Sequence, residues 1–207
     1  MKKGKFIALE GIDGSGKSTQ ISRLARRIEE LGQPCRTDCE PTGRPAGALI
    51  RKALTGQAPL DPRVIAALFA ADRMDHLVNG ENGVCAAIAQ GITVVTDRYY
   101  FSSYAYQGAD VGMDWVIQAN ALSAQLLRPT VTVFLDVPPQ AAMERILRNR
   151  DHVELFEREE RLHHTRALYF EAFDRMKDVE RVAVVDGTGG ENEVAERVWA
   201  AVRPFFD

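Results

Sequence analysis

Short runs of apolar and β-branched residues alternate along this chain with longer segments whose apolar positions recur at helical spacing. The runs occupy residues 6–9, 35–39 (the weakest), 92–96, 131–135 and 182–185. All but 35–39 are nearly continuous apolar or β-branched stretches, as expected of strands covered on both faces, and this predicts a parallel sheet. Between them, Ile21, Leu24, Ala25, Ile28 and Leu31 share one helical face, and Val194, Ala195, Val198, Trp199 and Val202 share another in the last helix. Further helical stretches are predicted over 62–77 and 114–127, with a glycine-rich interruption at 79–83, and Trp115 and Trp199 are expected in the core. The alternation predicts an α/β fold, a five-stranded parallel sheet with helices on both faces, over a single domain spanning 1–207. Ligands of such sheets bind beyond the carboxyl ends of the strands. Chemistry is therefore expected at residues 11–18, 40–43, 97–107, 136–139 and 186–189.

The first of these segments is Gly11-Ile12-Asp13-Gly14-Ser15-Gly16-Lys17-Ser18, which fills every fixed position of G-x-x-x-x-G-K-[ST] between a predicted strand and a predicted helix. In that P-loop context, backbone N–H groups around Gly11, Gly14, Ser15, Gly16 and Thr19 approach phosphate oxygens at a helix N-terminus. Lys17 reaches the outer phosphates and the Ser18 hydroxyl is placed for Mg²⁺. The expected ligand is a nucleoside triphosphate. Asp97 leaves the end of the run 92–96 beside Arg98. It can hold the same Mg²⁺, directly or through water, and the plainer alternative is an ion pair at a strand end.

Composition narrows the partners. The sequence has 207 residues, 45% of them hydrophobic, and a net charge of −3, which supplies no field for nucleic acid or an anionic membrane surface. No apolar run approaches the length of a bilayer span, and a cytoplasmic protein is expected. Cys35, Cys39 and Cys85 are read as thiols, because Cys35-x-x-x-Cys39 has no second His/Cys cluster to complete a metal site. His76, His152, His163 and His164 lack metal-ligand spacing and are assigned to ordinary surface or helix positions.

Asp97-Arg98-Tyr99-Tyr100-Phe101-Ser102-Ser103-Tyr104-Ala105-Tyr106-Gln107-Gly108 resembles the D-R-Y…S-S/N…A-Y-Q segment of thymidylate kinases, and Leu68-Phe69-Ala70-Ala71-Asp72-Arg73 their L-F-A-x-D-R segment. Glu40-Pro41-Thr42-Gly43 is similar to the E-P-G-G turn and Leu135-Asp136-Val137-Pro138-Pro139 to the segment before the lid. The matches fall in family order over nearly the whole chain. The resemblance implies a P-loop nucleoside monophosphate kinase fold with an acceptor region at about 40–107 and a small lid at about 145–158. It implies transfer of the ATP γ-phosphoryl to dTMP, with Mg²⁺, by a cytoplasmic homodimer that uses neither nucleic acid nor membrane.

Roles carried by the resemblance are specific. Phe69 stacks on thymine, Arg73 donates to its O4, Ser103 contacts the base, and Tyr106 lies beside the sugar. Glu40 and Gln107 belong to the same acceptor set. Arg51 and Arg98 hold the monophosphate, for which planar guanidinium forks suit a dianion. Asp13 contacts the acceptor 3′-hydroxyl, or else supports its own turn. Thr188 lies where the family packs adenine. The variable P-loop positions Ile12, Asp13, Gly14 and Ser15 include no basic residue, so the resemblance assigns the transition-state cation to the lid arginines, Arg148 or Arg150, in a run that begins at Arg145. Arg44, Thr42 and Tyr104 depart from the family pattern. The nearest rival is another nucleotide or deoxynucleoside kinase, whose neutral hydroxyl acceptor requires a base rather than arginines. A GTPase switch is disfavoured, since Asp186-Gly187-Thr188-Gly189 follows the last predicted strand and no N-K-x-D motif occurs.

Overall fold

The computed structural model describes residues 3–149 and 159–206. Its elements run β1 (Phe6–Glu10), α1 (Lys17–Glu30), β2 (Cys35–Cys39), α2 (Pro45–Leu54), α3 (Pro62–Val78), α4 (Val84–Ala89), β3 (Thr93–Asp97), α5 (Tyr100–Val111), α6 (Met113–Ala119) and α7 (Ala121–Leu126). They continue through β4 (Val131–Asp136), α8 (Pro139–Asn149), α9 (Glu159–Met176), β5 (Val182–Asp186) and α10 (Glu191–Val202). The strands form one sheet in the order β2-β3-β1-β4-β5, with every pairing parallel. Parallel neighbours require crossovers, and the helices that make them cover both faces.

The period of two along β1 divides the core. Phe6 and Ala8 point into a cluster with Tyr99, Phe101, Phe134 and Tyr169, whereas Ile7 and Leu9 point into one with Ile21, Leu24, Ile28 and Trp199. Each predicted run is a strand, but β1, β4 and β5 extend one residue further, to Glu10, Asp136 and Asp186, and β3 is shifted by one, to end at Asp97. The ladder, not side-chain polarity, sets these ends: Leu9 pairs with Asp97 and Asp136 with Asp186. Four carboxylates therefore stand on the carboxyl edge of the sheet.

Two expectations are corrected. The stretch 114–127 is not one helix; it breaks at Asn120 into α6 and α7. Asn120 is buried, its amide oxygen accepts from Arg73 Nη1 at 2.5 Å, and its Nδ2 donates to Val116 O at 2.8 Å. Trp115 is 43% exposed rather than core, because Met113 and Val116 take the buried side of the short α6. Trp199 is buried as expected, with the Arg27 guanidinium 4.8 Å from its ring centre. Tyr104, a departure from the family pattern, is core, stacked on Tyr100.

Candidate active site

The loop between β1 and α1 lines a cavity of about 600 Å³. Gly16 caps α1 in the left-handed region (φ 91), and at Gly14 (φ 78) a Cβ would lie 2.4 Å from Ala142 O, so both positions require glycine. Asp13, Gly14, Ser15, Gly16, Lys17, Ser18 and Thr19 all line the cavity. Lys17 Nζ donates to Gly11 O (3.0 Å) and Ile12 O (3.1 Å). Burial, and then the nearby Arg98 charge, pull its pKa down to about 8 against the carboxylates of Asp97 and Asp13. A phosphate chain bound here would add counter-charge to this ammonium.

Asp97 Oδ2 lies 3.5 Å from Ser18 Oγ, while Oδ1 is buried with no hydrogen-bond partner. An orphaned carboxylate oxygen beside a hydroxyl, at the edge of a phosphate cavity, fits a hard divalent cation whose other ligands are water and phosphate oxygens. Among the described residues no group of three or more His, Cys, Asp or Glu side chains could hold a metal.

A second cavity, of about 520 Å³, lies between α2, α3, α5 and α9. Phe69, Tyr106 and Gln107 line it together with Pro41, Leu54, Pro59, Leu60 and Ile65. The two cavities share two residues, Asp13 and Arg98. Arg98 is the one non-glycine among the described residues with positive φ (68), a conformation costing on the order of 1–2 kcal/mol. Its Nη2 donates to Asp13 in a short ion pair. Tyr106 OH donates to Asp13 Oδ2 at 3.0 Å, and the Arg98 guanidinium lies 4.9 Å from the Tyr106 ring centre.

Three expected acceptor residues stand behind this cavity, not on its wall. Arg73 is 1% exposed and grips Glu40 Oε2 through Nε (2.8 Å) and Nη2 (2.7 Å), while its Nη1 donates to Ser103 Oγ at 3.1 Å. Ser102, not Ser103, lines the cavity. Arg51 lies on the exposed side of α2 with Nη1 on Pro41 O at 2.9 Å, and is not among the lining residues. His76 lies on a helix, one of the two positions expected for it, but not at the surface. It is buried, with Nδ1 2.9 Å from Glu40 Oε1 and Nε2 3.0 Å from Asp38 Oδ2. Burial alone would lower its pKa, but the two carboxylates prevail and hold it up to about 9. With Arg36 on Asp38 at 2.7 Å, charges alternate from the sheet edge to Arg73. The departures after β2 close onto α3: Thr42 donates N–H and hydroxyl to Asp72, and Arg44 pairs with Asp75.

On the donor side, Arg145 bridges the P-loop and the loop after β5, with Nη1 on Ser15 O (3.2 Å) and Nη2 on Gly187 O (3.0 Å). Thr188 turns its amide and hydroxyl onto Asp186 Oδ1, so its neighbours Gly187 and Gly189 line the cavity instead. Arg148 is exposed, 3.7 Å from Glu144, and does not line the cavity. Arg150 and most of the expected lid lie outside the described residues.

Sequence reasoning also passed over Glu10, buried at the end of β1, which accepts from Tyr99 N, Ser102 N, Ser102 Oγ and Tyr169 OH. The one available signal was a carboxylate ending an apolar run just before Gly11.

Comparison with known proteins agrees with this architecture. The chain matches the family model described as Thymidylate kinase over residues 9–198. It is 36% identical over 203 residues to a protein of Synechococcus sp. (strain JA-2-3B'a(2-13)) named "Thymidylate kinase", covering 96% of this chain and 94% of that one. A Thermomicrobium roseum protein of the same name is 35% identical, covering 95% and 93%. A "Probable thymidylate kinase" of Pyrobaculum calidifontis is 36% identical, covering 95% of each.

Proposed function

The chain belongs to the thymidylate kinase family and phosphorylates dTMP to dTDP with ATP, and on that premise we propose a division of labour within its site. The triphosphate lies in the P-loop cavity, dTMP in the second cavity, and the two phosphate ends meet at Asp13 and Arg98. The observation that carries this reading is that these two residues alone are common to both cavities.

Phosphoryl transfer asks little covalent chemistry of a protein, so catalysis is positioning and charge neutralisation. Lys17 and the loop amides hold the donor phosphates. Arg98 spans the junction and, with Arg51 of α2, holds the acceptor phosphate. Asp13, between Arg98 and Tyr106, accepts the sugar 3′-hydroxyl, and Tyr106 closes the space beside the sugar. Phe69 supplies an aromatic face for the base. Arg73 and Ser103 reach the base edge only if the Glu40 cluster behind the wall opens toward it. Ser18 and Asp97 hold Mg²⁺, which when bound neutralises charge on the phosphates. Arg148 or Arg150 joins from the lid, and Arg145 holds the nucleotide side of the donor cavity.

We also propose that the protein works as a homodimer in the cytoplasm. Val64, Val78, Trp115, Leu122 and Leu126 are large apolar side chains exposed on α3, α6 and α7, and the three thiols are free, as a reducing compartment keeps them. No described helix is long and apolar enough to cross a membrane. An ADP-release assay over nucleosides and monophosphates tests the substrate reading. Turnover is expected to be greatest with dTMP, lower with dUMP, and negligible with thymidine and purine monophosphates. Faster turnover of any nucleoside than of dTMP overturns it.

A further inference from the structure

Glu10 is a buried carboxylate that lines neither cavity and shares its partners with Arg98. Glu10 ends β1 at 0% exposure, and each of its oxygens accepts from two donors. Oε1 takes the backbone N–H groups of Tyr99 (2.8 Å) and Ser102 (3.1 Å), so a strand carboxylate caps the first turn of α5. Oε2 takes the hydroxyls of Ser102 (2.6 Å) and Tyr169 (2.9 Å). Those same hydroxyl oxygens accept from Arg98 Nη1, at 2.9 and 3.4 Å. Guanidinium N–H groups can only donate, which turns the hydroxyl hydrogens away from Arg98, toward the carboxylate or across the 2.8 Å between the two hydroxyl oxygens.

The backbone of Arg98 is held in the same way. Its left-handed conformation is fixed by its own N–H on Leu9 O (3.0 Å), by Thr96 Oγ1 on its carbonyl (3.1 Å), and by the next N–H, that of Tyr99, on Glu10. A conformation this unfavourable persists only where its surroundings over-determine it. Glu10 thus acts on both halves of Arg98: through α5 it holds the backbone turn that aims the side chain, and through two hydroxyls it holds the guanidinium.

We infer that Glu10 is the positioning residue for Arg98, setting the affinity of the acceptor cavity for a phosphate while leaving its affinity for the nucleoside portion unchanged. This rests on the reading that Arg98 holds the acceptor phosphate. Tyr169, from the helix that follows the lid, is the second member of the relay.

Thymidine separates this from general support of the fold, since it fills the same cavity without a phosphate. In Glu10→Gln the charge and one acceptor oxygen are lost at nearly constant shape. The dTMP KM is expected to rise about tenfold or more, while the Ki of thymidine as a competitor and the KM for ATP change less than about threefold. Tyr169→Phe removes one hydroxyl and leaves the helix cap, and should raise the dTMP KM by about threefold with the same selectivity; it decides the matter if Glu10→Gln does not fold. Arg98→Ala is measured alongside. If Arg98→Ala widens the gap between dTMP and thymidine but the Glu10 and Tyr169 variants do not, or if these weaken both ligands alike, the inference is overturned and the reading of Arg98 stands. If Arg98→Ala itself leaves the dTMP to thymidine ratio unchanged, the underlying reading falls and the inference with it.

Discussion

Raising the pH should unlock the buried charges behind the acceptor cavity, and His76 is where this is measurable. The imidazole faces Asp38 and Glu40 at the end of β2, and those carboxylates in turn hold Arg36 and Arg73. Its pKa is held up from 6.5 to about 9 in the folded chain. At about 1.4 kcal/mol per pH unit, that difference corresponds to roughly 3 kcal/mol of stability. Because the folded pKa is the higher one, the contribution is fully present below pH 6.5, declines as the unfolded chain releases its proton, and is gone above about 9. Lys17 acts with the opposite sign. Its pKa is depressed from 10.5 to about 8, so stability from that site rises between those values. Comparison with His76→Gln cancels it, since both proteins carry Lys17. Urea unfolding from pH 6 to pH 9.5 should show the wild-type advantage over His76→Gln shrinking by roughly 3 kcal/mol, well outside extrapolation error. Parallel curves, or a His76 ring resonance titrating near 6.5, would refute the charged bridge.

Other outcomes follow from the donor and acceptor cavities. Lys17→Ala should lower kcat by about two to four powers of ten, and near-normal turnover would show that the P-loop is not the donor site. Phe69→Ala removes the aromatic wall of the acceptor cavity and should raise the dTMP KM about tenfold while equilibrium ATP binding is kept; an effect on ATP alone would misplace the base. Arg148→Ala and Arg150→Ala, made singly and together, should include at least one variant losing about 10³-fold in kcat with ATP affinity changed only several-fold. If all three stay within about threefold of wild type, Arg145, already on the P-loop carbonyl, becomes the cation to test.

What the sequence determined by itself was the P-loop and the strand runs. The P-loop is contiguous, and its glycine positions are set by backbone angles that any P-loop shares. The strand runs were legible because β1, β3 and β4 are buried along most of their length, and a strand covered on both faces must be apolar throughout. Even the weak Cys35–Cys39 run has its predicted bounds, because edge pairing with β3 carries it. Only the tertiary structure decided which polar side chains meet. Glu10 finds Ser102 and Tyr169 across 92 and 159 residues, and His76 finds Asp38 across 38. No periodicity encodes such partners, and a histidine or carboxylate that reads as solvated in isolation becomes worth burying only once its counter-charge is delivered by another element. The same holds for Asn120, which looked like one residue in a helical run until Arg73 claimed its amide oxygen. The residue types needed to handle phosphate were written along the chain; their meeting at Asp13 and Arg98 is a property of a sheet whose carboxyl ends converge.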